Sequence, residues 1–298
     1  MRGLGLVFLL LTACGQIDLP AEGSSSKYAS GDLSPCTPLK LPDESISNSL
    51  PSFDRKVLLL ALSISGSFEG PDDWANITDD FDGQGLSLGL LNQNLGTGSL
   101  QPLLIRMRDT HFKQFQSYFS NEQRVKVESM LSLWEAEASN VETANAKSAD
   151  WARSNLYTEN GFKASWKKSF QNLARDPHYI NQQIKASISF HQETRRLMNT
   201  LGLNNLRSYL FLFDTITQDG SLPGEDVESF LAENRDLSSR ESLSLILSLR
   251  LRHVKKSFRN DVRIRKLTII DGAGVVHGTY RNLEQEYCFN ADQDYSNN

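Results

Sequence analysis

The chain is short of the residues on which most metal and nucleotide chemistry depends. It has five histidines and three cysteines in 298 residues. His111, His178, His191, His253 and His277 stand at no ligand spacing and include no His-Glu-x-x-His, so a zinc hydrolase has no basis. Gly96-Thr97-Gly98 is followed by Ser99 and Leu100 instead of lysine, which removes a phosphate-cradling loop. Asp80, Asp82, Gln84 and Gly85 match the first, third, fifth and sixth positions of a calcium loop, but the twelfth is Leu91 where a bidentate glutamate is required. The expectation is therefore no metal and no cofactor. A cationic excess is missing too. The formal charge is −5, which leaves no electrostatic footprint for nucleic acid. The apolar run from Leu4 to Leu11 is well short of the roughly twenty residues that span a bilayer.

That run follows Arg2 and ends in Leu11-Thr12-Ala13-Cys14, which resembles the lipobox of bacterial lipoproteins. The resemblance implies a signal peptide over residues 1–13, lipid on Cys14 and attachment to a membrane without crossing it. Gly15 and Gln16, in place of an aspartate after the cysteine, imply the outer membrane of a Gram-negative envelope, facing the periplasm. Residues 14–44, with Gly23-Ser24-Ser25-Ser26, read as a flexible tether. Residues 45–290 contain no second linker and read as one domain, followed by a polar tail over 291–298. With Cys14 committed to lipid, Cys36 and Cys288 are left at opposite ends of that domain. An oxidising envelope permits a disulfide between them, two unrelated thiols being the alternative.

Most of the domain carries a helical pattern. Ser52 can cap a helix whose Val57, Leu58, Leu60, Ala61, Leu62 and Ile64 are apolar nearly all round, ending near Gly66 and Gly70 with Glu69 at its tip. Ser120 with Gln123 and Ser238 with Glu241 have capping-box spacing. Residues 162–173, 180–201 and 206–216 repeat apolar positions at helical intervals. Ile77–Phe81, the glycine turn Asp82-Gly83-Gln84-Gly85 and Leu86–Leu90 read instead as a strand, a turn and a return. A mainly helical α+β domain with a small β-hairpin lobe is expected.

The chemistry lies between Phe68 and Ser99: a glutamate at a helix end, a carboxylate on a glycine turn, and hydroxyls close by in sequence. Two carboxyl groups are what a glycosidase uses to cut a sugar polymer with water. The block Asp82-Gly83-Gln84-Gly85-Leu86-Ser87 through Gly96-Thr97-Gly98-Ser99 resembles, without a gap, the corresponding block of bacterial chitosanases of the lysozyme superfamily. Weaker likenesses are Leu212-Phe213-Asp214 up to Gly220, and Asp261 to Arg265. The resemblance implies a two-lobed, lysozyme-like fold. It makes Glu69 the general acid, Asp82 the base that activates water, Ser87 a hydroxyl that helps hold the water, and Asp214 with Arg265 the groups that steady the base. Asp80 is the reserve base. Phe68 and Pro71 are expected to shield Glu69 and favour its neutral form. An arginine beside Asp82 would keep that carboxylate ionised.

Chitosanases carry an aspartate where this chain has Ser99. A neutral hydroxyl forfeits a charge-assisted contact with a glucosamine amine. Together with the envelope address, this moves the expected substrate to the β-1,4-linked amino sugars of peptidoglycan, partly deacetylated strands included, cleaved with inversion. Trp74, Asn94, Thr97 and Ser99 are the expected sugar contacts. Trp134, Trp151 and Trp166 are expected in the core. The basic run Arg250, Arg252, Lys255, Lys256, Arg259, Arg263, Arg265 and Lys266 is expected on an exposed helix face. A chitosanase, a lytic transglycosylase and a non-catalytic wall-binding lipoprotein are the alternatives.

Overall fold

The structure is a computed structural model that describes residues 50–137 and 139–295. The expected signal peptide, Cys14, the tether and Cys36 lie outside the described residues. Cys288 is disulfide-bonded. Among the described residues no helix is long and apolar enough to cross a membrane.

In chain order, α1 (Ser52–Glu69) leads through a 3-10 turn (Asp73–Ala75) to the sheet β1 (Ile77–Thr78), β2 (Ser87–Leu88) and β3 (Gln93–Asn94). Then come α2 (Gln101–Thr110), α3 (Phe112–Ser117), α4 (Asn121–Ala136), α5 (Val141–Leu156), the hairpin β4 (Tyr157–Thr158) and β5 (Gly161–Phe162), and α6 (Ala164–Ala174). The long α7 (Pro177–Leu201) is followed by α8 (Leu206–Asp219), α9 (Gly224–Glu233), α10 (Ser239–Arg250) and α11 (Arg259–Asp271). A hairpin of β6 (Ala273–Val276) and β7 (Thr279–Asn282) and the short α12 (Leu283–Tyr287) complete the elements. The mainly helical expectation holds, with three small sheets where one hairpin was expected.

Local chemistry accounts for the helix ends. Both capping boxes form, Ser120 with Gln123 and Ser238 with Glu241, each satisfying two otherwise unpaired backbone donors. Asp176 caps α7 through the His178 and Tyr179 amides, with Pro177 at the first helical position. Ser52 does not cap α1: Pro51 occupies the N-cap, and no side-chain cap bond forms. The extended backbone of Pro51 turns the chain one residue earlier than expected. The C-terminal tail also differs from expectation. Arg207 N donates to Ala291 O, Leu206 N to Gln293 O and Tyr295 N to Asn204 O, while Tyr295 Oη reaches Asp54 at 2.8 Å. The domain therefore runs to at least Tyr295, because these residues satisfy backbone groups around the start of α8.

Two hydrophobic cores divide the molecule. One gathers α1, most of α7, and α8 to α11 around Leu58, Phe68, Phe211, Phe213 and Phe230. The other gathers the three-stranded sheet and α2 to α6 around Leu88, Leu104, Phe115, Phe170 and Tyr179. The chain passes between them at Trp74–Ala75, between Leu88 and Leu90, between Leu91 and Leu95, and at Tyr179–Ile180. Gly66 lets α1 accept the loop at the second crossing: a Cβ there would stand 2.3 Å from Leu90 Cδ1. Gln183 of α7 clamps the same loop, its Oε1 accepting from Leu90 N at 2.8 Å. Glu69, at the tip of α1, sits where the two cores meet.

Candidate active site

Glu69 is the outer end of a buried chain of charges. Arg265 of α11 donates from Nη1 to Glu69 Oε1. The same guanidinium gives Nε to both Asp214 oxygens, at 3.1 and 3.0 Å, and Nη2 to Asp214 Oδ1 at 2.6 Å. Lys266 adds Nζ to Asp214 Oδ2 at 2.5 Å. Asp214, Arg265 and Lys266 are buried, whereas the Glu69 side chain keeps 17% exposure. Burial alone would raise the Asp214 carboxyl, but Arg265 and Lys266 outweigh it and hold the group well below the usual carboxylate range. Loss of water works against the Arg265 charge as well, yet Asp214 and Glu69 leave that guanidinium more firmly protonated than in water.

Asn92 supplies the second partner of Glu69, with Nδ2 to Oε2 at 2.9 Å. It stands at φ 48, a left-handed conformation that asparagine tolerates better than most residues. Its Oδ1 is buried without a hydrogen-bond partner among the described residues. Phe68 and Pro71 do not shield Glu69 as expected. Phe68 is buried in the first core with Arg265 and Arg281 over its ring at 5.1 and 5.4 Å, and Pro71 is exposed. A residue on the helix side next to Glu69 packs inward, and the one after the turn faces water.

Asp82 lies on the turn between β1 and β2, whose strands pack in the second core. It is exposed, and its Oδ1 accepts the Gln84 amide at 3.1 Å. Asp80 is engaged instead: its Oδ1 takes the Gly85 amide at 2.5 Å, and Arg153 of α5 pairs with both of its oxygens. Tyr157 Oη donates to Gly85 O at 2.6 Å. Burial first, and then the negative field of Asp79, Asp80 and Asp82, pushes the Tyr157 phenol up. The arginine expected beside Asp82 is therefore elsewhere. Arg265 serves Glu69 and Asp214, and Arg153 serves Asp80.

The remaining expected residues divide. Asn94, Thr97 and Ser99 do come together: Asn94 Oδ1 accepts from Thr97 N and Oγ1 at 2.8 and 2.9 Å, Ser99 Oγ accepts from Asn94 N at 2.9 Å, and the two hydroxyls lie 3.1 Å apart. Thr97 and Ser99 are exposed. Ser87 is buried in β2, between Thr78 and Asn94, and no hydrogen bond joins it to Asp82 among the described residues. Trp74 is not a sugar platform. It is 6% exposed and packs in the first core, because it pins the crossing from α1 to the sheet. Trp166 is core as expected, while Trp134 and Trp151 are half-buried. The basic run is mostly exposed, but Arg265 and Lys266 turn inward on α11 to meet Asp214.

Sequence reasoning missed Asn92, Lys266, Arg153 and Phe81. Phe81 carried a signal, an aromatic between two aspartates in a polar turn, and it is 70% exposed. Among the described residues the scattered histidines hid one grouping of possible metal ligands, Glu225, Asp226 and His253. His253 Nε2 lies 3.1 Å from Asp226 Oδ1 and 3.6 Å from Glu225 Oε1, and a histidine–carboxylate hydrogen bond accounts for the shorter contact.

In overall structure the chain is similar to a GH46 chitosanase from Gynuella sunshinyii in complex with chitotetraose, at 14% identity over 78% of this chain and 98% of that one, with a TM-score of 0.48. A second chitosanase complex gives 15% identity, 77% and 95% coverage and 0.49. Native chitosanase from Bacillus subtilis MY002 gives 13%, 79%, 98% and 0.43. No protein-family model and no curated protein matches the sequence.

Proposed function

We propose that the protein is a glycoside hydrolase that cleaves β-1,4 bonds of peptidoglycan, with Glu69 as general acid and Asp82 as base. The observation that carries this reading is the placement of one accessible carboxylate on each core, Glu69 at the junction and Asp82 on the sheet turn. In the proposed reaction Glu69 gives its proton to the glycosidic oxygen as the C1–O bond breaks. Water adds to C1 from the opposite face and passes its proton to Asp82, so both carboxyls end with their protonation exchanged. Inversion of this kind requires the two groups roughly 6.5–9.5 Å apart.

The donors around Glu69 fit its product form. Arg265 Nη1 and Asn92 Nδ2 each address one oxygen, which suits the carboxylate left after proton transfer. Asp214 takes most of the Arg265 fork, so Glu69 competes for a guanidinium that is already occupied. A half-turn of the Asn92 amide would bring its unpartnered Oδ1 to the acid's proton. Asp82, exposed and bonded only within its own turn among the described residues, is free to meet water.

The neutral ring of Asn94, Thr97 and Ser99 supports an N-acetylated sugar over a cationic one, since it offers hydroxyls and an amide but no formal charge. Phe81 takes over the stacking role expected of Trp74. The lipid anchor at Cys14 and an outer-membrane position facing the periplasm belong to the same proposal, resting on the lipobox.

The test is digestion of native and deacetylated sacculi, with chitosan in parallel, by the mature protein, reading product ends by mass spectrometry. Water-added reducing ends are expected from native sacculi, with Glu69→Gln slower by roughly 10²–10⁴-fold and Asp82→Asn similarly impaired. Anhydro ends that persist in Asp82→Asn would replace the hydrolase by a lytic transglycosylase. Wall binding without any release, unchanged in Glu69→Gln, would leave a binding protein.

A further inference from the structure

We infer that Arg153 is a positioning residue for Asp82, a clamp that brackets the base from both sides of the turn. The inference rests on the assignment of Asp82 proposed above. Arg153 stands near the end of α5, and its Nη1 reaches Asp80 Oδ1 and Oδ2 at 3.3 and 3.2 Å and Gly83 O at 3.2 Å. One nitrogen thus ties the residue two before Asp82 and the carbonyl one after it. Nη2 is anchored on its own helix by Asp150 Oδ1 at 2.7 Å.

The far end of the turn is fixed independently. Gly85 lies against α5 so closely that a Cβ would stand 2.8 Å from Ala149 Cα, and Tyr157 Oη holds the Gly85 carbonyl at 2.6 Å. Between these anchors only Phe81, Asp82 and Gly83 face solvent. Asp80 is spent on the clamp, receiving Arg153 and the Gly85 amide, and is withdrawn from use as a base.

The clamp matters more for catalysis than for folding. Arg153 is 42% exposed, and an ion pair so open to water contributes little to stability. A catalytic group displaced by an ångström, in contrast, loses about 100-fold in rate. The planar guanidinium can address a carboxylate and a carbonyl together, which a lysine ammonium does as a less directed point charge.

Steady-state kinetics on peptidoglycan oligosaccharides, with melting temperatures, for Arg153→Ala, Arg153→Lys, Asp82→Asn and the double variant Arg153→Ala/Asp82→Asn tests this. Arg153→Ala is expected to lower kcat roughly ten- to hundred-fold, with KM and melting temperature nearly unchanged and partial recovery in Arg153→Lys. In the Asp82→Asn background the same alanine is expected to cost less than about two-fold, because the group it positions is gone. Wild-type kcat in Arg153→Ala, or a loss as large in the Asp82→Asn background as in the parent, overturns the inference while leaving Asp82 as base. Full activity in Asp82→Asn removes the base assignment, and the clamp's role with it.

Discussion

Neutralising Asp214 should expose how the buried charges are balanced. Asp214→Asn keeps the shape of the side chain but removes the carboxylate charge that Arg265 and Lys266, both buried, share. The substitution adds one unit of positive charge beside two buried cations. Breaking a buried pair from one side costs about 3–5 kcal/mol, and the amide oxygen still accepts one bond, so a loss of about 3 kcal/mol is expected. Adding Lys266→Met restores the original net charge with a side chain of similar length. The double variant should therefore be more stable than the sum of the single losses by about 1.5–3 kcal/mol. Urea unfolding, comparing midpoints at a constant slope, gives all three values. Losses that add within about 0.5 kcal/mol, or an Asp214→Asn loss below about 1 kcal/mol, would refute the charge-balance reasoning. The pH dependence has a definite sign. The folded Asp214 carboxyl is depressed, so its contribution is complete above the ordinary carboxylate range and is lost as pH falls through the folded value. Below about pH 4 the wild type should lose stability more steeply than Asp214→Asn.

Two further perturbations address the site's surroundings. Gly66→Ala would drive a Cβ to 2.3 Å from Leu90 Cδ1, so overpacking should cost about 1–3 kcal/mol and shift Asn92 away from Glu69; unchanged urea midpoint and kcat would contradict this. Phe81→Ala should raise KM about five- to thirty-fold at nearly constant kcat if the ring stacks on a sugar, a contact worth about 1–2 kcal/mol; an unchanged KM would remove Phe81 from the binding surface.

What the sequence made legible was the local chemistry. The capping boxes at Ser120 and Ser238 formed because both of their hydrogen bonds close within four residues. The tip of α1 fell at Glu69 because Gly70 and Pro71 cannot extend a helix. The partners of each charge were not legible, since they depend on which elements pack together. Arg265 and Asp82 were expected to be neighbours, but α11 packs on α8, which puts Arg265 against Asp214, fifty-one residues away in sequence. Arg153 reaches Asp80 across seventy-three residues for the same reason: α5 lies beneath the glycine turn. Trp74 misled because an aromatic near a motif has the same composition whether it faces a ligand or a core.

The burial of Trp74 also explains how only thirteen positions separate the proposed acid from the proposed base. After Glu69 the chain makes one 3-10 turn, crosses from the first core to the second at Trp74–Ala75, and enters β1 at Ile77. Little slack remains, so the crossing must be held by packing. Trp74 fills the first core, its carbonyl accepts Gln183 Nε2 at 3.4 Å, and Gln183 also holds the returning loop at Leu90. That loop carries Asn92 to Glu69. Gln183 of α7 thus holds both the segment that leaves Glu69 for the sheet and the loop that returns to it. A substrate lying across the junction would meet the proposed acid, held by Arg265, and the proposed base, on a turn held by Arg153, neither depending on the other for its position.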